Sequence, residues 1–407
     1  MRPILLLILS TFPILPLHSA DWPQLHGPAR DGVSAEVGLA RKLPESVVPV
    51  WSLTAGSGWA APVVVDGRVL LFQRRKDREV LECVDLRTGK LLWESGEKTT
   101  YSDDFGFDDG PRATPVIADG RAFTLGAAGR LTGWDFKDGK PLWSVDLDEK
   151  YGVKKGFFGT ACSPVIAGGT LVVHVGGKDG GIVGFDPATG KESWKILGHP
   201  ASYSSPVAAK LGGEDLVALF GKDGLVVIDP VKGEVRASRA WKPRNPYSVN
   251  AASPVVSGDR ILVTTSYDTG AMVCDYAKGK LDVVWSGDES MSCHYNTPIR
   301  VGGKLYGVDG RQERGAKLRC VEFDTGKVLW TEESVGIATL ASADGTILAL
   351  TEKGELVLFD AKAKDYRELA RRTILKGGKT RAGFALSAGR LIARDEKTWI
   401  CIDLRGE

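Results

Sequence analysis

Short apolar runs alternate with glycine-containing turns over most of the chain, from about residue 51 onward. The first unit contains four such runs: Pro62–Val65, Val69–Phe72, Val80–Asp85 and Leu91–Glu94. Apolar residues are nearly continuous within each run, which is typical of strands buried on both faces. Asp66-Gly67 and Thr88-Gly89 provide tight turns between the runs. This pattern predicts four-stranded antiparallel units whose sheets pack face to face.

A small residue followed by proline opens each unit and gives the period of the repeat. These prolines are Pro62, Pro115, Pro164, Pro206, Pro254 and Pro298, and two degenerate units follow them. A period of roughly 40 to 50 residues is typical of a solenoid, a propeller or an array. The last unit lacks a fourth strand, and the strand around Trp51 has no unit before it.

Joining these two partial units closes a ring and hides the sheet edges that an open stack would expose. We therefore predict an all-β fold, an eight-bladed β-propeller of four-stranded antiparallel blades. The strand around Trp51 is expected to complete the C-terminal blade. An open β-solenoid and two four-bladed rings are the alternatives, and neither needs a last unit completed by the first strand.

The N-terminus has the pattern of an export signal. Arg2 precedes an apolar run, Ile4–Leu17, and Ala20 provides a small residue at a cleavage position. The run is short for a membrane span and two prolines interrupt it, which disfavours a membrane anchor. Asp21 follows the cleavage position where a lipid-anchored protein would need cysteine. We predict a signal peptide at 1–20, a lead-in segment at 21–47, one propeller domain at 48–407, and a periplasmic or secreted protein.

Most units share an acidic residue, a glycine turn and a tryptophan four residues after the glycine. Examples are DLRTGKLLW at Asp85–Trp93, DFKDGKPLW at Asp135–Trp143 and DPATGKESW at Asp186–Trp194. The tryptophans assigned to this position are Trp51, Trp93, Trp143, Trp194, Trp285 and Trp330. Over about residues 51–407 the motif resembles the tryptophan-docking repeat of the pyrroloquinoline-quinone (PQQ)-like, quinoprotein dehydrogenase-type superfamily.

The resemblance implies that each tryptophan stacks on the turn of the neighbouring blade, where carbonyl groups can accept its N–H. It also implies one of two functions. Some members are periplasmic alcohol or sugar dehydrogenases that use PQQ and calcium. Others are non-catalytic binders, such as the propeller subunit of the outer-membrane β-barrel assembly machinery, and this chain is most similar to them. The dehydrogenases usually have longer chains and two adjacent cysteines beside the cofactor, whereas none of the six cysteines here are adjacent.

Charge and residue spacing disfavour other classes of function. The chain has 53 Lys and Arg against 51 Asp and Glu, which gives no reason to expect nucleic-acid binding. There is no CxxC pair, so zinc and c-type haem are not predicted. The histidines His174, His199 and His294 are isolated, and no catalytic triad spacing is present. The acidic cluster at 103–109 lacks a calcium-loop spacing and is expected to be a solvated loop.

The longer loops precede the innermost strands and therefore converge on one mouth of the central channel. They span 98–113, 148–162, 198–204, 239–252 and 287–296. Aromatic and arginine residues on loops often mark interaction surfaces. The candidate binding residues are Tyr101, Phe105, Phe107, Arg112, Phe157, Phe158, Tyr203, Trp241, Arg244, Tyr247, Asn250, His294, Tyr295 and Asn296. The alternative is that these rings only pack the loops against each other.

The sequence therefore favours a non-catalytic scaffold that binds another exported protein or a small ligand at the channel mouth. No catalytic or metal-ligating residue and no cofactor is predicted. The first alternative is a PQQ- and calcium-dependent periplasmic alcohol or sugar dehydrogenase. The second alternative is a carbohydrate-binding propeller, which the aromatic loops alone suggest.

Overall fold

The computed structural model describes residues 21–153, 156–243, 245 and 249–406, so the predicted signal peptide lies outside it. The described chain forms eight four-stranded antiparallel sheets, each called a blade below. The first strands of most neighbouring sheets contact each other, so these strands surround the central channel and the fourth strands lie outermost. The predicted all-β, eight-bladed propeller is confirmed.

The strands follow the chain order. β1 (Trp51–Thr54) belongs to blade 8. Blade 1 contains β2 (Val63–Val65), β3 (Arg68–Arg75), β4 (Arg78–Asp85) and β5 (Leu91–Lys98), and blade 2 contains β6 (Val116–Ala118), β7 (Arg121–Leu125), β8 (Arg130–Asp135) and β9 (Pro141–Asp146). Blade 3 contains β10 (Val165–Ala167), β11 (Thr170–Gly176), β12 (Gly181–Phe185) and β13 (Glu192–Ile196). Blade 4 contains β14 (Val207–Leu211), β15 (Glu214–Phe220), β16 (Gly224–Asp229) and β17 (Glu234–Ala240).

Blades 5 to 8 continue the same arrangement. Blade 5 contains β18 (Val255–Ser257), β19 (Arg260–Thr265), β20 (Gly270–Ala277) and β21 (Lys280–Gly287), and blade 6 contains β22 (Ile299–Val301), β23 (Lys304–Arg311), β24 (Gly315–Glu322) and β25 (Val328–Glu332). Blade 7 contains β26 (Ala338–Ala343), β27 (Thr346–Thr351), β28 (Glu355–Asp360) and β29 (Glu368–Thr373). Blade 8 contains β30 (Ala385–Ser387), β31 (Arg390–Arg394) and β32 (Thr398–Asp403) in addition to β1. A short helix, α1 (Leu147–Tyr151), follows β9. No helix of the described residues has the length and apolar character needed to span a membrane.

The ring closes because strands from the two ends of the domain share blade 8. β1 pairs antiparallel with β32, and Trp51 lies opposite Cys401. The Trp51 indole also lies against Gly89 of blade 1, and its N–H donates to the Leu86 carbonyl at 2.9 Å. One strand therefore completes blade 8 and docks it on blade 1, which is the closure that the sequence predicted.

The same docking joins other blades. The indole N–H donates to a turn carbonyl of the next blade at 2.9–3.1 Å in the pairs Trp143–Pro187, Trp194–Pro230 and Trp285–Phe323. The turn must be open for this contact, because a Cβ on Gly190 would lie 2.4 Å from the Trp143 ring. Trp93 lies against Gly139 in the same way, whereas Trp330 packs against the aromatic rings of blade 7. Each assigned tryptophan thus contacts the following blade.

A belt of hydrogen bonds explains the small residue before each repeat proline. In chain order these residues are Ala61, Thr114, Ser163, Ser205, Ser253 and Thr297. The backbone N–H of each of the first five donates to the side-chain hydroxyl of the next, at 2.9 to 3.3 Å. These residues are buried, and a buried N–H without an acceptor is costly. The hydroxyls therefore link consecutive blades around the channel.

The lead-in segment crosses the channel at the end away from the long loops. Trp22 exchanges two backbone hydrogen bonds with Val64 of blade 1, and the N–H of Ser34 donates to Ser342 of blade 7. Between them the buried Arg30 side chain donates to the carbonyls of Ser163 and Pro206, at 3.3 and 2.7 Å. The segment therefore ties together blades on opposite sides of the ring and closes this end of the channel.

Candidate functional site: the channel mouth

A cavity of about 310 Å³ lies at the mouth of the channel on the face of the long loops. The hydroxyl belt forms part of its wall, and Leu25 and His26 of the lead-in segment form its floor. Burial lowers the pKa of His26 to about 4, and the charge of Arg30 adds to this effect. The floor is therefore neutral near pH 7. A blind cavity of this volume suits a small ligand or an inserted side chain.

Half of the predicted binding residues line this cavity. They are Phe107, Arg112, Phe158, Tyr203, His294, Tyr295 and Asn296. Phe105 and Phe157 pack against Phe158 and are 54% and 44% exposed. Tyr101 is buried, and its hydroxyl lies 3.4 Å from an Arg112 nitrogen. Arg244 and Tyr247 lie outside the described residues.

Trp241 and Asn250 support the loops instead of lining the cavity. Trp241 packs against the apolar cluster between blades 4 and 5. Asn250 is 2% exposed, and its amide nitrogen donates to the Gly221 carbonyl at 2.8 Å. Its backbone carbonyl accepts from the N–H groups of Tyr203 and Ser204, both at 3.0 Å. The aromatic and polar loop residues therefore include both cavity-lining and loop-packing side chains.

Among the lining residues that the sequence analysis did not select are two further aromatic residues, Trp59 and Tyr267, and a further arginine, Arg381. Trp59 and Arg381 lie in the loops that lead into the inner strands of blades 1 and 8, and Tyr267 follows β19. The position of these residues in loops next to the strands was the sequence signal that could have identified them. Loops that lead into an inner strand and a loop after a second strand both contribute to the mouth.

The Arg112 guanidinium organises one side of the mouth. It forms an ion pair with Asp103, and both side chains are almost fully buried. It also donates to the Asp108 carbonyl at 2.9 Å and lies over the Trp59 ring, 4.8 Å from its centroid. Cation–π contacts of this kind are strongest when water is excluded. Asp103 is therefore a buried structural partner, which corrects the expectation that the whole acidic cluster is solvated.

Arg381 and Trp59 form the adjoining part of the wall. The Nε atom of Arg381 donates to Glu352 at 2.7 Å, and its guanidinium lies 4.8 Å from the Trp59 ring centroid. The Nε1 atom of Trp59 and the hydroxyl of Tyr295 are buried without a hydrogen-bond partner. Burial raises the pKa of Tyr295 well above its usual range, so its hydroxyl stays protonated. The wall therefore holds two unpaired hydrogen-bonding groups.

His294 is held in place by two neighbours. One ring nitrogen, Nε2, lies 2.9 Å from the Tyr267 hydroxyl, and Nδ1 lies 3.3 Å from the Gln312 side-chain oxygen. The guanidinium of Arg311 lies over the Tyr267 ring at 4.3 Å. Burial lowers the pKa of His294, so the imidazole is neutral near pH 7. Both ring nitrogens of His294 are therefore already engaged by neighbouring side chains.

A cluster of four phenylalanines, called the phenylalanine cluster below, lies at the rim. It consists of Phe105, Phe107, Phe157 and Phe158 from the loops 98–113 and 148–162. Ring centroids are 5.7 to 6.5 Å apart, and Phe105 contacts the other three. Phe105, Phe107 and Phe157 are each 44% to 54% exposed. Contiguous exposed aromatic rings are unusual on a free surface and typical of an interaction site.

A larger cavity, about 700 Å³, opens beside the mouth and shares Ala161 and Tyr203 with it. Its lining consists mainly of small residues from the loops of blades 2 to 4, with Asp148 among the few charged groups. Burial, together with the charge of Asp146, raises the pKa of Asp148 to about 6. No arginine and no phenylalanine is among the described residues that line this cavity, whereas the mouth combines both, so the mouth is the better candidate site.

The dehydrogenase alternative requires a site for PQQ and calcium. Calcium takes six to eight oxygen ligands, often carboxylates. Within the described ranges, no three His, Cys, Asp or Glu side chains are placed together to hold a metal ion. Glu313 is the one carboxylate among the described lining residues, and the nearby carboxylates of Asp103 and Glu352 are paired with Arg112 and Arg381. The donor set at the mouth therefore does not fit a calcium-held quinone.

Comparison with known proteins gives a family match and two kinds of relatives. A family model described as "Outer membrane protein assembly factor BamB" matches residues 76–332, more than half of the chain. The BamB of Nitrosomonas eutropha is 28% identical over 202 residues, which cover 47% of this chain and 42% of that protein. The quinohemoprotein alcohol dehydrogenase ADH IIB of Pseudomonas putida is 28% identical over 304 residues, 68% of this chain and 39% of that protein.

The chain thus spans about a fifth to two fifths of the length of the curated relatives it matches. Among solved structures, BamB from Moraxella catarrhalis superposes with a TM-score of 0.64 at 14% identity, over 89% of this chain and 99% of that one. At this identity the superposition shows the fold alone. The relatives therefore establish the propeller, and they include both assembly factors and dehydrogenases.

Proposed function

Because the chain belongs to the family described as outer membrane protein assembly factor BamB, we propose that it is an exported, non-catalytic scaffold that binds another protein. The partner docks on the face of the long loops. The observation that carries this proposal is the phenylalanine cluster, whose exposed rings lie at the rim of the mouth. Contiguous apolar surface of this kind gains free energy when a partner covers it.

The rest of the fold suits a scaffold. Docked tryptophans and the hydroxyl belt join the blades, so the loops project from a rigid ring. The lead-in segment closes the far end of the channel, so a partner reaches the site only from the loop face. A preorganised surface loses little entropy on binding. The loops at the mouth are themselves held by the Arg112–Asp103 ion pair.

Chemical cross-linking in the native cell tests the proposal. Tagged wild-type protein is compared with the double variant Phe105→Ser plus Phe157→Ser, and cross-linked partners are identified by mass spectrometry. Leu142→Ser is the matched control, since Leu142 is 46% exposed on the outer strand of blade 2. We expect a specific partner with the wild type and the control, and its loss with the double variant. Equal capture by all three proteins would contradict the proposal.

A second candidate, a PQQ- and calcium-dependent dehydrogenase, is favoured by similarity to the Pseudomonas putida enzyme over 68% of this chain. The mouth lacks a matching donor set, so this candidate needs ligands beyond the clusters described. Purified protein is incubated with PQQ and calcium, desalted, and assayed for quinone absorbance and dye-linked alcohol oxidation. Retained quinone together with oxidation would favour the dehydrogenase, and neither signal is expected from a scaffold.

A further inference from the structure

We propose that the mouth recognises an extended partner segment in which a large apolar side chain stands next to a carboxylate. This inference rests on the proposed function and names the chemistry of the bound segment. The apolar side chain packs on the phenylalanine cluster. The carboxylate enters the cavity and pairs with Arg381, beside the unpaired groups of Trp59 and Tyr295.

The apolar half of the proposal follows from the rim. Phe105, Phe107 and Phe157 together present three half-exposed rings. Their centroids lie within about 6 Å of a neighbouring ring, so they form one continuous surface. Aromatic rings prefer offset or edge-on contacts with a further ring or an aliphatic side chain. A polar or strongly hydrated ligand would have to desolvate here without gaining a hydrogen bond.

The carboxylate half follows from the charges and donors inside the cavity. Two guanidinium groups line the described part of the cavity: Arg112 is paired with the buried Asp103, and Arg381 pairs with Glu352 through its Nε atom. Glu313 is the one lining carboxylate, so the Nη groups of Arg381 are the donors offered to an incoming carboxylate. The two lining histidines have lowered pKa values through burial and are neutral near pH 7. The Trp59 N–H is a donor without an acceptor, and the protonated Tyr295 hydroxyl is a second group without a partner. An acceptor that enters the cavity supplies the hydrogen bond that these groups lack. A carboxylate forms the strongest hydrogen bonds of this kind, because its charge also pairs with the neighbouring arginine.

The two halves are close enough for adjacent residues of one segment. Phe107 belongs to both, because it packs on Phe105 and also lies 5.8 Å from the Arg381 guanidinium. Residues of an extended chain are spaced by about 3.3 Å, with side chains on alternating sides. A side chain on the cluster and a carboxylate one or two positions away therefore span the required distance. Because Leu25 and His26 form the floor of the cavity, the segment enters the mouth but does not pass through the channel.

Selection from a random peptide library displayed on phage tests this proposal. The wild-type protein is the bait, with a purified unrelated propeller for counter-selection. We expect enriched peptides that place an aromatic or large aliphatic residue within about two positions of Asp or Glu. The binding constant of a synthetic consensus peptide is then measured by fluorescence anisotropy. It should weaken about tenfold or more in Arg381→Gln and in Phe105→Ser plus Phe157→Ser.

Matched variants separate recognition from folding. Arg87→Gln removes an exposed arginine in a turn of blade 1, and Leu142→Ser removes an exposed apolar side chain. Both should bind the peptide like the wild type, and Arg381→Lys should restore part of the affinity lost in Arg381→Gln. Replacing the peptide's carboxylate by the amide should mimic Arg381→Gln. A higher salt concentration should weaken binding of the acidic peptide and not of the amide.

Selection of basic peptides, selection of no common pattern, or affinity indifferent to Arg381→Gln would overturn the inference. Binding of a glycan array through the phenylalanine cluster would also overturn it in favour of a carbohydrate ligand. These outcomes differ from failure of the proposed function. If cross-linking still captures a partner through Phe105 and Phe157, the scaffold function stands and only the chemistry of the segment is wrong. If capture is also independent of those residues, both proposals fail.

Discussion

At the scale of single residues, the carboxyl group of Glu79 is buried between blades 1 and 2. Its side chain is 6% exposed, and Oε1 accepts the N–H of Ala127 at 2.8 Å. Burial is the main cause that raises the pKa of Glu79 to about 7, against an ordinary value of 4.5, and nearby Glu97 adds to it. The folded protein therefore binds this proton more tightly than the unfolded chain does.

We predict that Glu79→Gln removes a pH dependence of stability. A raised carboxyl pKa penalises the folded state only when the group is ionised, so the wild type loses stability as pH rises from about 4.5 through about 7. The glutamine keeps the acceptor for Ala127 and carries no charge. At pH 8.5 the variant should be more stable by an amount on the order of 2 kcal/mol, with little difference at pH 4.5.

Urea unfolding at both pH values measures this difference. The control is Glu234→Gln, because Glu234 is exposed at the start of β17. It should change stability equally little at the two pH values. A constant offset between wild type and Glu79→Gln across the pH range would contradict the assignment to ionisation of Glu79.

The docking tryptophans allow a second prediction at this scale. The Trp143 N–H donates to the Pro187 carbonyl at 3.1 Å, whereas the Trp330 N–H is buried without a partner. Phenylalanine keeps an aromatic face and removes the N–H in both cases. We expect Trp143→Phe to cost about 1 kcal/mol more than Trp330→Phe, because only Trp143 loses a hydrogen bond. Equal losses in urea unfolding would show that packing alone holds the blades.

At the scale of elements, the small residue before each repeat proline has a role that the repeat alone does not reveal. The Ser205 hydroxyl accepts the Ser163 N–H at 2.9 Å, and both residues are buried. We predict that Ser205→Ala lowers the free energy of unfolding by about 1 to 3 kcal/mol, because the Ser163 N–H loses its acceptor.

Ser205→Thr is the matched control, since Thr114 and Thr297 occupy the same position in blades 2 and 6 and accept the same bond. It should retain most of the stability in urea unfolding. A loss in Ser205→Thr as large as in Ser205→Ala would mean that side-chain volume, not the hydroxyl, is limiting at this position.

The elements could be predicted from the sequence because each carries its own local signal. Three features recur in most units: continuous apolar runs, a tight turn like that at Asp66-Gly67, and a tryptophan placed like the one after Gly89. Comparison of the copies therefore identifies the strands and turns even where a single copy is ambiguous. The mouth could be predicted only in part. Loop order placed Phe107 and Arg112 there, but the pairing of Arg381 with Glu352 and the burial of Asp103 depend on contacts between blades.

At the scale of the whole molecule, the lead-in segment was the least predictable part. Its residues have no repeat signal, and Arg30 is a charged residue that composition would place on the surface. It is buried because the channel supplies three backbone carbonyls, those of Ser163, Pro164 and Pro206, at its guanidinium. Only a closed ring brings these carbonyls together, so the position of Arg30 follows from the tertiary fold.

Closure of the ring by β1 and β32 leads to the last prediction. Thr54 and Thr398 are cross-strand partners at the end of this pair, and neither is buried. Cross-strand neighbours in antiparallel sheets have the Cα separation that a disulfide requires. We predict that the double variant Thr54→Cys plus Thr398→Cys forms a disulfide when oxidised. The oxidised form should be more stable than the reduced form by about 2 to 5 kcal/mol, because the linked loop covers nearly the whole propeller.

Urea unfolding of the double variant with and without reductant measures the gain, so each sample is its own control. The wild type should unfold identically under both conditions, since its six cysteines are buried and unpaired in the described structure. The single variant Thr54→Cys should also be insensitive to reductant. If the oxidised double variant were no more stable than the reduced one, separation of β1 from β32 would not accompany unfolding. The ring would then hold together through contacts elsewhere, such as Trp51 on Gly89 and the lead-in segment.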